Sequence, residues 1–241
     1  MKSLKKLFYK FLMMISRIIR NKFFYLQFQM ETGSKTLFSK KNHKTRKIVS
    51  FNPWDTVRKD MLILVLKDIV ENNIPGDLAE LGVYKGHSAR LIHHYVPERK
   101  LFLFDTFSGF DEDDIKVENT FHSDSYSQFN DTNVASVLNF INPENDNVIP
   151  IVGMFPQSLP DGFDKVFSFI HMDMDLYQPT IEALRYFYLK VSNGGYMIAH
   201  DYNNIKWPGI KKAVDEFFKD KKEHPVYMPD NGGSVLIRKH F

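Results

Sequence analysis

The stretch DLAELGVYKGHSARLIHHY, residues 77–95, runs an apolar segment into Glu80, turns on Gly82 and Gly86, and only then takes up helical spacing. Glycine serves turns that need positive φ or close approach of the backbone to a ligand. The pattern therefore predicts strand, tight turn and helix in one unit. The unit recurs: LAELGVY (78–84), KLFLFDTF (100–107), NVIPIVG (147–153), VFSFIHMDMD (166–175) and GGYMIAHDY (194–202) are short apolar runs bounded by turn residues. Helical runs accompany them, namely HSARLIHHYV, TNVASVLNFI, QPTIEALRYFYLKV and PGIKKAVDEFFKD. Near-continuous apolarity in the strands means burial on both faces, as in a parallel sheet covered by helices. The closing HPVYMPDNGGSVLIRKH reads as a hairpin around Asn-Gly-Gly. The expected fold is a doubly wound, mostly parallel seven-stranded α/β sheet of Rossmann-like type, with a C-terminal antiparallel hairpin.

The chain has 241 residues, 43% hydrophobic and 25% charged, which suits a globular domain with an extension. It contains no cysteine, excluding disulfides, thiolate metal sites and a cysteine nucleophile. Residues 1–50 carry 13 Lys and Arg against the single acid Glu31, so a basic arm precedes an acidic domain. We divide the chain into this arm and linker (1–50) and the α/β domain (51–241). Leu4, Phe8, Phe11, Ile15 and Ile18 fall at helical spacing among Lys5, Lys6, Lys10, Arg17 and Arg20, a pattern that suits a helix lying on an anionic membrane surface. Its uncharged run is far shorter than the ~20 residues a span requires. The alternative is a helix packed on its own domain or on a second subunit, as in a homo-oligomer. No nucleic-acid partner is expected. The expected location is cytoplasmic, peripheral at the inner membrane face if the arm binds lipid.

In a doubly wound sheet, ligands bind outside the carboxyl ends of the strands, where the strand order reverses. A dinucleotide fold would place G-x-G-x-x-G there, but Glu80 stands where the first glycine belongs. A carboxylate disfavours a pyrophosphate and favours a cation, and S-adenosylmethionine carries both an ammonium and a sulfonium. Asp105 closes the second run about 20 residues on, the position of an acid that binds ribose hydroxyls. Asp173 and Asp175 close the fourth run, and His200 and Asp201 the fifth. Carboxylates converging in a cleft repel unless a cation joins them, so a divalent metal between these strands is the economical reading. Each acid alone could equally be a solvated strand end or a helix cap.

At these residues the chain resembles the macrocin O-methyltransferase (TylF-type) family of class I S-adenosylmethionine-dependent methyltransferases. The resemblance rests on IPGDLAELGVYKGHSA, LFDTFSGF, FNDTNVASVL, MDLYQPTIEALRYFY, GGYMIAHDYNN, WPGIKKAVDEF and MPDNGGSVLI. It implies that Glu80, Gly82 and Gly86 hold the methionyl part of the cofactor, that Asp105 binds its ribose, and that Asp173, His200 and Asp201 hold a metal. Tyr84, Ser88, Thr106 and Asp173 complete the expected cofactor contacts. Magnesium is the expected ion, with manganese the alternative. Relatives often carry a carboxylate where this chain has His200; imidazole is a poorer magnesium ligand than carboxylate, so His200 serves either as a base or as a ligand to a softer ion such as manganese.

Methyl transfer to oxygen is an in-line displacement, and a metal on a vicinal diol would acidify and aim the attacking hydroxyl. Asp173, Asp175 and His200 are the candidate proton acceptors, with Asp173 expected as shared ligand and acceptor. The expected acceptor is a sugar hydroxyl of a glycan, polysaccharide or glycoside, lipid-linked if the arm binds membrane. FHSDSYSQFND (121–131) is an ordinary surface loop or a lid bearing His122 and Tyr126. A nicotinamide oxidoreductase would share the sheet and Asp105, but the first glycine and a tyrosine-lysine relay are missing. A noncatalytic membrane-recruited scaffold would leave the strand-end acids without purpose.

Overall fold

A computed structural model of the chain describes residues 55–121, 129–142 and 146–240, with Ile15 besides. The basic arm, the linker and the positions of His122 and Tyr126 lie outside the described residues, Ile15 apart. The chain divides into two compact units, Met1–Thr56 and Val57–Phe241, and the second carries the sheet. Among the described residues, no helix is long and apolar enough to cross a membrane.

The elements are α1 (Thr56–Glu71), β1 (Asp77–Leu81), α2 (His87–Tyr95), β2 (Leu101–Asp105), α3 (Glu112–Glu118), α4 (Val134–Ile141), β3 (Val148–Val152), β4 (Phe167–Met172), α5 (Tyr177–Phe187), β5 (Val191–Ala199), α6 (Pro208–Phe218), β6 (Val226–Met228) and β7 (Ser234–Arg238). The strands form one sheet in the order β3-β2-β1-β4-β5-β7-β6. The first five are parallel, while β7 runs antiparallel to both β5 and β6. This is the expected class I methyltransferase fold. The order reverses between β1 and β4, which places the ends of these strands at the crevice where such sheets bind ligands.

Burial on both faces explains the strand composition: all six residues of β4 are buried, and Leu78 to Leu81 of β1 are too. The phenylalanines make much of this core. Phe104 lies edge-to-face with Phe155 and Phe187, and Phe167 with Phe102 and Phe187, at centroid separations of 5.2–6.0 Å. Each such side chain contributes about 1.5–3 kcal/mol by leaving water. The fifth strand begins at Val191, earlier than its apolar run suggests. Gly194 and Gly195 sit inside it, where the pairing with β4 shifts register between Phe167 and Phe169. Two further helices, α1 and α3, stand outside the alternating pattern, and both reach the site.

Candidate active site

The turn after β1 is built around close approach. Gly82 has φ 78°, and a Cβ there would collide with the Asp173 carbonyl, so a side chain is excluded by both conformation and space. Gly86, with φ 76°, is the N-cap of α2, and Ser88 is buried in that helix's first turn. Between them Tyr84 takes φ 49°, and its hydroxyl donates to Asp131 Oδ1 at 2.7 Å. Asp105, at the end of β2, holds this turn. Its Oδ2 accepts from the amides of Val83 (2.6 Å) and Tyr84 (2.9 Å), and its Oδ1 from that of Phe107 (2.7 Å). The Thr106 hydroxyl donates to the Gly109 carbonyl at 2.6 Å. Asp105 and Thr106 thus have structural work inside the two turns that border the crevice.

Glu80 is fully buried. Its Oε1 lies 2.8 Å from His171 Nδ1, while its Oε2 is buried with no hydrogen-bond partner. His171, on the neighbouring β4, meets an Arg58 Nη2 at 3.0 Å, and the same nitrogen donates to Asp173 Oδ2 at 2.5 Å. Sequence reasoning singles out neither Arg58 nor His171. The signal that could find them is a charged residue within an apolar helical run and an imidazole within an apolar strand.

The second half of the site lies past β4 and β5. Asp173, His200 and Asp201 each offer a ligand atom, and all three atoms lie within 4.8 Å of one another. Asp175 joins them. Both Asp175 (φ 63°) and Asp201 (φ 61°) are held in the left-handed region, a conformation non-glycine residues adopt at a cost that clusters at functional sites. The hairpin packs on this group so tightly that a Cβ on Gly232 would overlap Asp201 Oδ1.

The hairpin also orients the imidazole. Ser234 Oγ lies 3.1 Å from His200 Nδ1 and donates its own proton to Asp230 Oδ2 at 2.6 Å. A hydroxyl has one proton, so Ser234 accepts from His200 and Nδ1 carries hydrogen. Nε2 then turns its lone pair toward Asp201 Oδ1, 3.3 Å away, an encounter that requires either a proton or a cation. Asp230 and Ser234, missed as functional residues because their motif reads as a turn, give His200 the carboxylate-backed orientation of a metal-ligating histidine.

Electrostatics separate the members of the group. Burial opposes ionisation of Asp173, yet the Arg58 guanidinium beside it, then His200, hold its carboxyl well below the usual range. Burial pushes Asp175 well up, and the neighbouring Asp173 and Asp201 carboxylates add to the shift. His200 is drawn down by burial, but Asp173, Asp230 and Asp201 carry it above its ordinary value. Two carboxylates of one cluster thus differ sharply in proton affinity.

Glu118, the last residue of α3, fixes the two loops that carry these groups. It is fully buried, and its oxygens accept from the amides of Tyr177 (2.8 Å), at the start of α5, and Gly209 (2.9 Å), in the first turn of α6. One carboxylate therefore caps two helices. His93, by contrast, lies buried in α2 beside Asn142 and contributes to packing.

A family model described as Macrocin-O-methyltransferase (TylF) matches residues 40–238. The demethyldecarbamoylnovobiocin O-methyltransferase of Streptomyces niveus is 31% identical over 166 residues, 63% of this chain and 62% of that protein. The 8-demethyl-8-(2,3-dimethoxy-alpha-L-rhamnosyl)-tetracenomycin-C 4'-O-methyltransferase of Streptomyces olivaceus is 29% identical over 156 residues, 60% of each chain. Both matches span less than two thirds of the relative's length. Among solved structures, the O-methyltransferase NovP superposes with a TM-score of 0.61 at 28% identity, covering 76% of this chain and 80% of that one. Since the family model spans most of the sequence and every strand of the sheet, the chain belongs to the macrocin O-methyltransferase (TylF) family.

Proposed function

We propose that the protein is a metal-dependent O-methyltransferase that moves the methyl group of S-adenosylmethionine to a sugar hydroxyl. The observation that carries this reading is the pairing, across the crevice between β1 and β4, of an orphaned buried carboxylate oxygen on Glu80 with the Asp173, His200 and Asp201 cluster. The first suits an ammonium group. The second offers two carboxylates and an imidazole with a backed orientation, a donor set that fits manganese better than magnesium. Asp105, Tyr84 and Thr106 would frame the ribose end, and Gly82 and Gly86 leave room for the cofactor beside the backbone.

Asp173, His200 and Asp201 would hold the ion, which when bound lowers the pKa of a sugar hydroxyl and fixes its direction. The acceptor oxygen attacks the methyl carbon in line; the new C–O bond forms as the C–S bond breaks, leaving S-adenosylhomocysteine. Asp175 is the better proton acceptor of the two acids that follow β4, because the Arg58 guanidinium engages Asp173 at 2.5 Å and holds its proton affinity down. This departs from the expectation that Asp173 would do both tasks. Family membership and the rhamnosyl-bearing name of one relative favour a sugar acceptor. The basic amphipathic pattern of residues 1–30 supports a cytoplasmic enzyme held at the membrane face, acting on a lipid-linked glycan.

Calorimetric titration tests the cofactor assignment. Wild type should bind S-adenosylhomocysteine and ignore NAD, and Glu80→Gln should weaken that binding by about one to two decades, the value of a charge-assisted hydrogen bond. Binding of NAD without S-adenosylhomocysteine would reject the reading in favour of a nicotinamide enzyme.

A further inference from the structure

We infer that Arg58 and His171 are positioning residues that join the cofactor end of the site to its acid cluster, so that occupation of the Glu80 end is felt at Asp173. The inference rests on the methyltransferase reading above and adds to it a connection between its two halves. A guanidinium only donates, so the 3.0 Å approach of Arg58 Nη2 makes His171 Nε2 an acceptor. The hydrogen of the imidazole is then on Nδ1, where it is given to Glu80 Oε1 at 2.8 Å. Arg58 Nη2 also donates to Asp173 Oδ2. One directed chain results, from Arg58 outward to Asp173 on one side and through His171 to Glu80 on the other.

Both ends of the chain are carboxylates with a ligand to meet. Glu80 keeps Oε2 buried and unpartnered, and Asp173, its side chain 24% exposed, opens on the three-residue cluster. His171 and Glu80 have no exposed side-chain surface at all, and Arg58 has 10%. Burying charges in this way is weak as a source of stability, since desolvation offsets the attraction. It is effective in orienting carboxylates that bind ligands; at metal sites, loss of such a supporting partner typically costs about 10–100-fold in affinity or activity. Arg58 comes from α1, outside the strand-turn-helix units that supply Glu80 and Asp173. That helix is thereby part of the site.

The test is calorimetry with S-adenosylhomocysteine on wild type, Arg58→Met, His171→Phe and the double variant, each checked by thermal melting. Arg58→Met keeps Glu80 and its turn, yet should weaken binding at least about tenfold. The double variant should bind no more weakly than the weaker single variant, because both break one chain. Arg58→Met binding within about twofold of wild type, or losses that multiply in the double variant, would overturn the inference. Should the variants fail to fold, 15N-histidine NMR on wild type decides: His171 must be the Nδ1–H tautomer and must shift when S-adenosylhomocysteine is added. The Nε2–H tautomer, or no shift, overturns the inference. No binding by wild type refutes the methyltransferase reading and the connection together, whereas normal wild-type binding with an unaffected Arg58→Met refutes the connection alone.

Discussion

Asp105 commits both carboxylate oxygens to backbone amides, so its removal should act on the fold as well as on the cofactor. Asp105→Ala is expected to lose about 1–3 kcal/mol of stability, the cost of leaving partly buried donors unsatisfied, and to weaken S-adenosylhomocysteine binding in the same protein. Denaturant unfolding beside calorimetry checks this; weakened binding with unchanged stability would mean that the turn holds itself. At Asp175 the expectation is different. Asp175→Asn should fold and bind S-adenosylhomocysteine but lose about 10²–10⁴ in kcat, as for removal of a proton acceptor. A rate within about tenfold of wild type, measured by release of S-adenosylhomocysteine, would return that role to Asp173 or His200. The sequence alone does not rank the three candidates firmly, because what ranks them is the position of Arg58, a residue far from Asp173 in the chain. His200 is legible as a residue out of place among acids; its tautomer is not, since that depends on Ser234 donating to Asp230.

Among the elements, α3 has the least conspicuous sequence and a large mechanical task. Its terminal Glu118 caps both α5 and α6. A lost helix cap costs about 0.5–2 kcal/mol, so Glu118→Ala should cost about 1–4 kcal/mol, read from the urea midpoint. A loss below about 0.5 kcal/mol would show that neither helix depends on it. The strands are readable from composition because burial on both faces leaves a continuous apolar signal, and the hairpin from its Asn-Gly-Gly turn. The entry into β5 is not readable for a physical reason: glycines that usually bound strands here lie within one, at a register shift against β4. Helix α1 offers no unit-like spacing to announce it, being buried on much of its circumference and carrying Arg58 inward.

For the molecule as a whole, pH and metal should act together through His200. Its folded pKa is raised above the ordinary 6.5, so the stability it contributes to metal-free protein is complete below 6.5 and lost as pH rises through the raised value. The difference in melting temperature between wild type and His200→Gln should therefore shrink with rising pH. Added manganese, which binds neutral imidazole, should restore it at the alkaline end. A difference that does not change with pH would mean that His200 is not charged in the fold. The basic arm allows a separate expectation: removing residues 1–30 should abolish sedimentation with anionic vesicles while sparing turnover of a soluble sugar diol, and loss of that turnover would assign the arm to the catalytic unit.

The most direct measurement follows labelled methyl from S-adenosylmethionine onto a panel of sugars bearing vicinal hydroxyls, with wild type, Asp173→Asn and wild type in excess EDTA. Label should appear on at least one sugar with wild type, on none with EDTA until manganese is returned, and on none with Asp173→Asn although that variant still binds S-adenosylhomocysteine. Label transfer that continues undiminished in EDTA and in Asp173→Asn would contradict metal-dependent methyl transfer at this site.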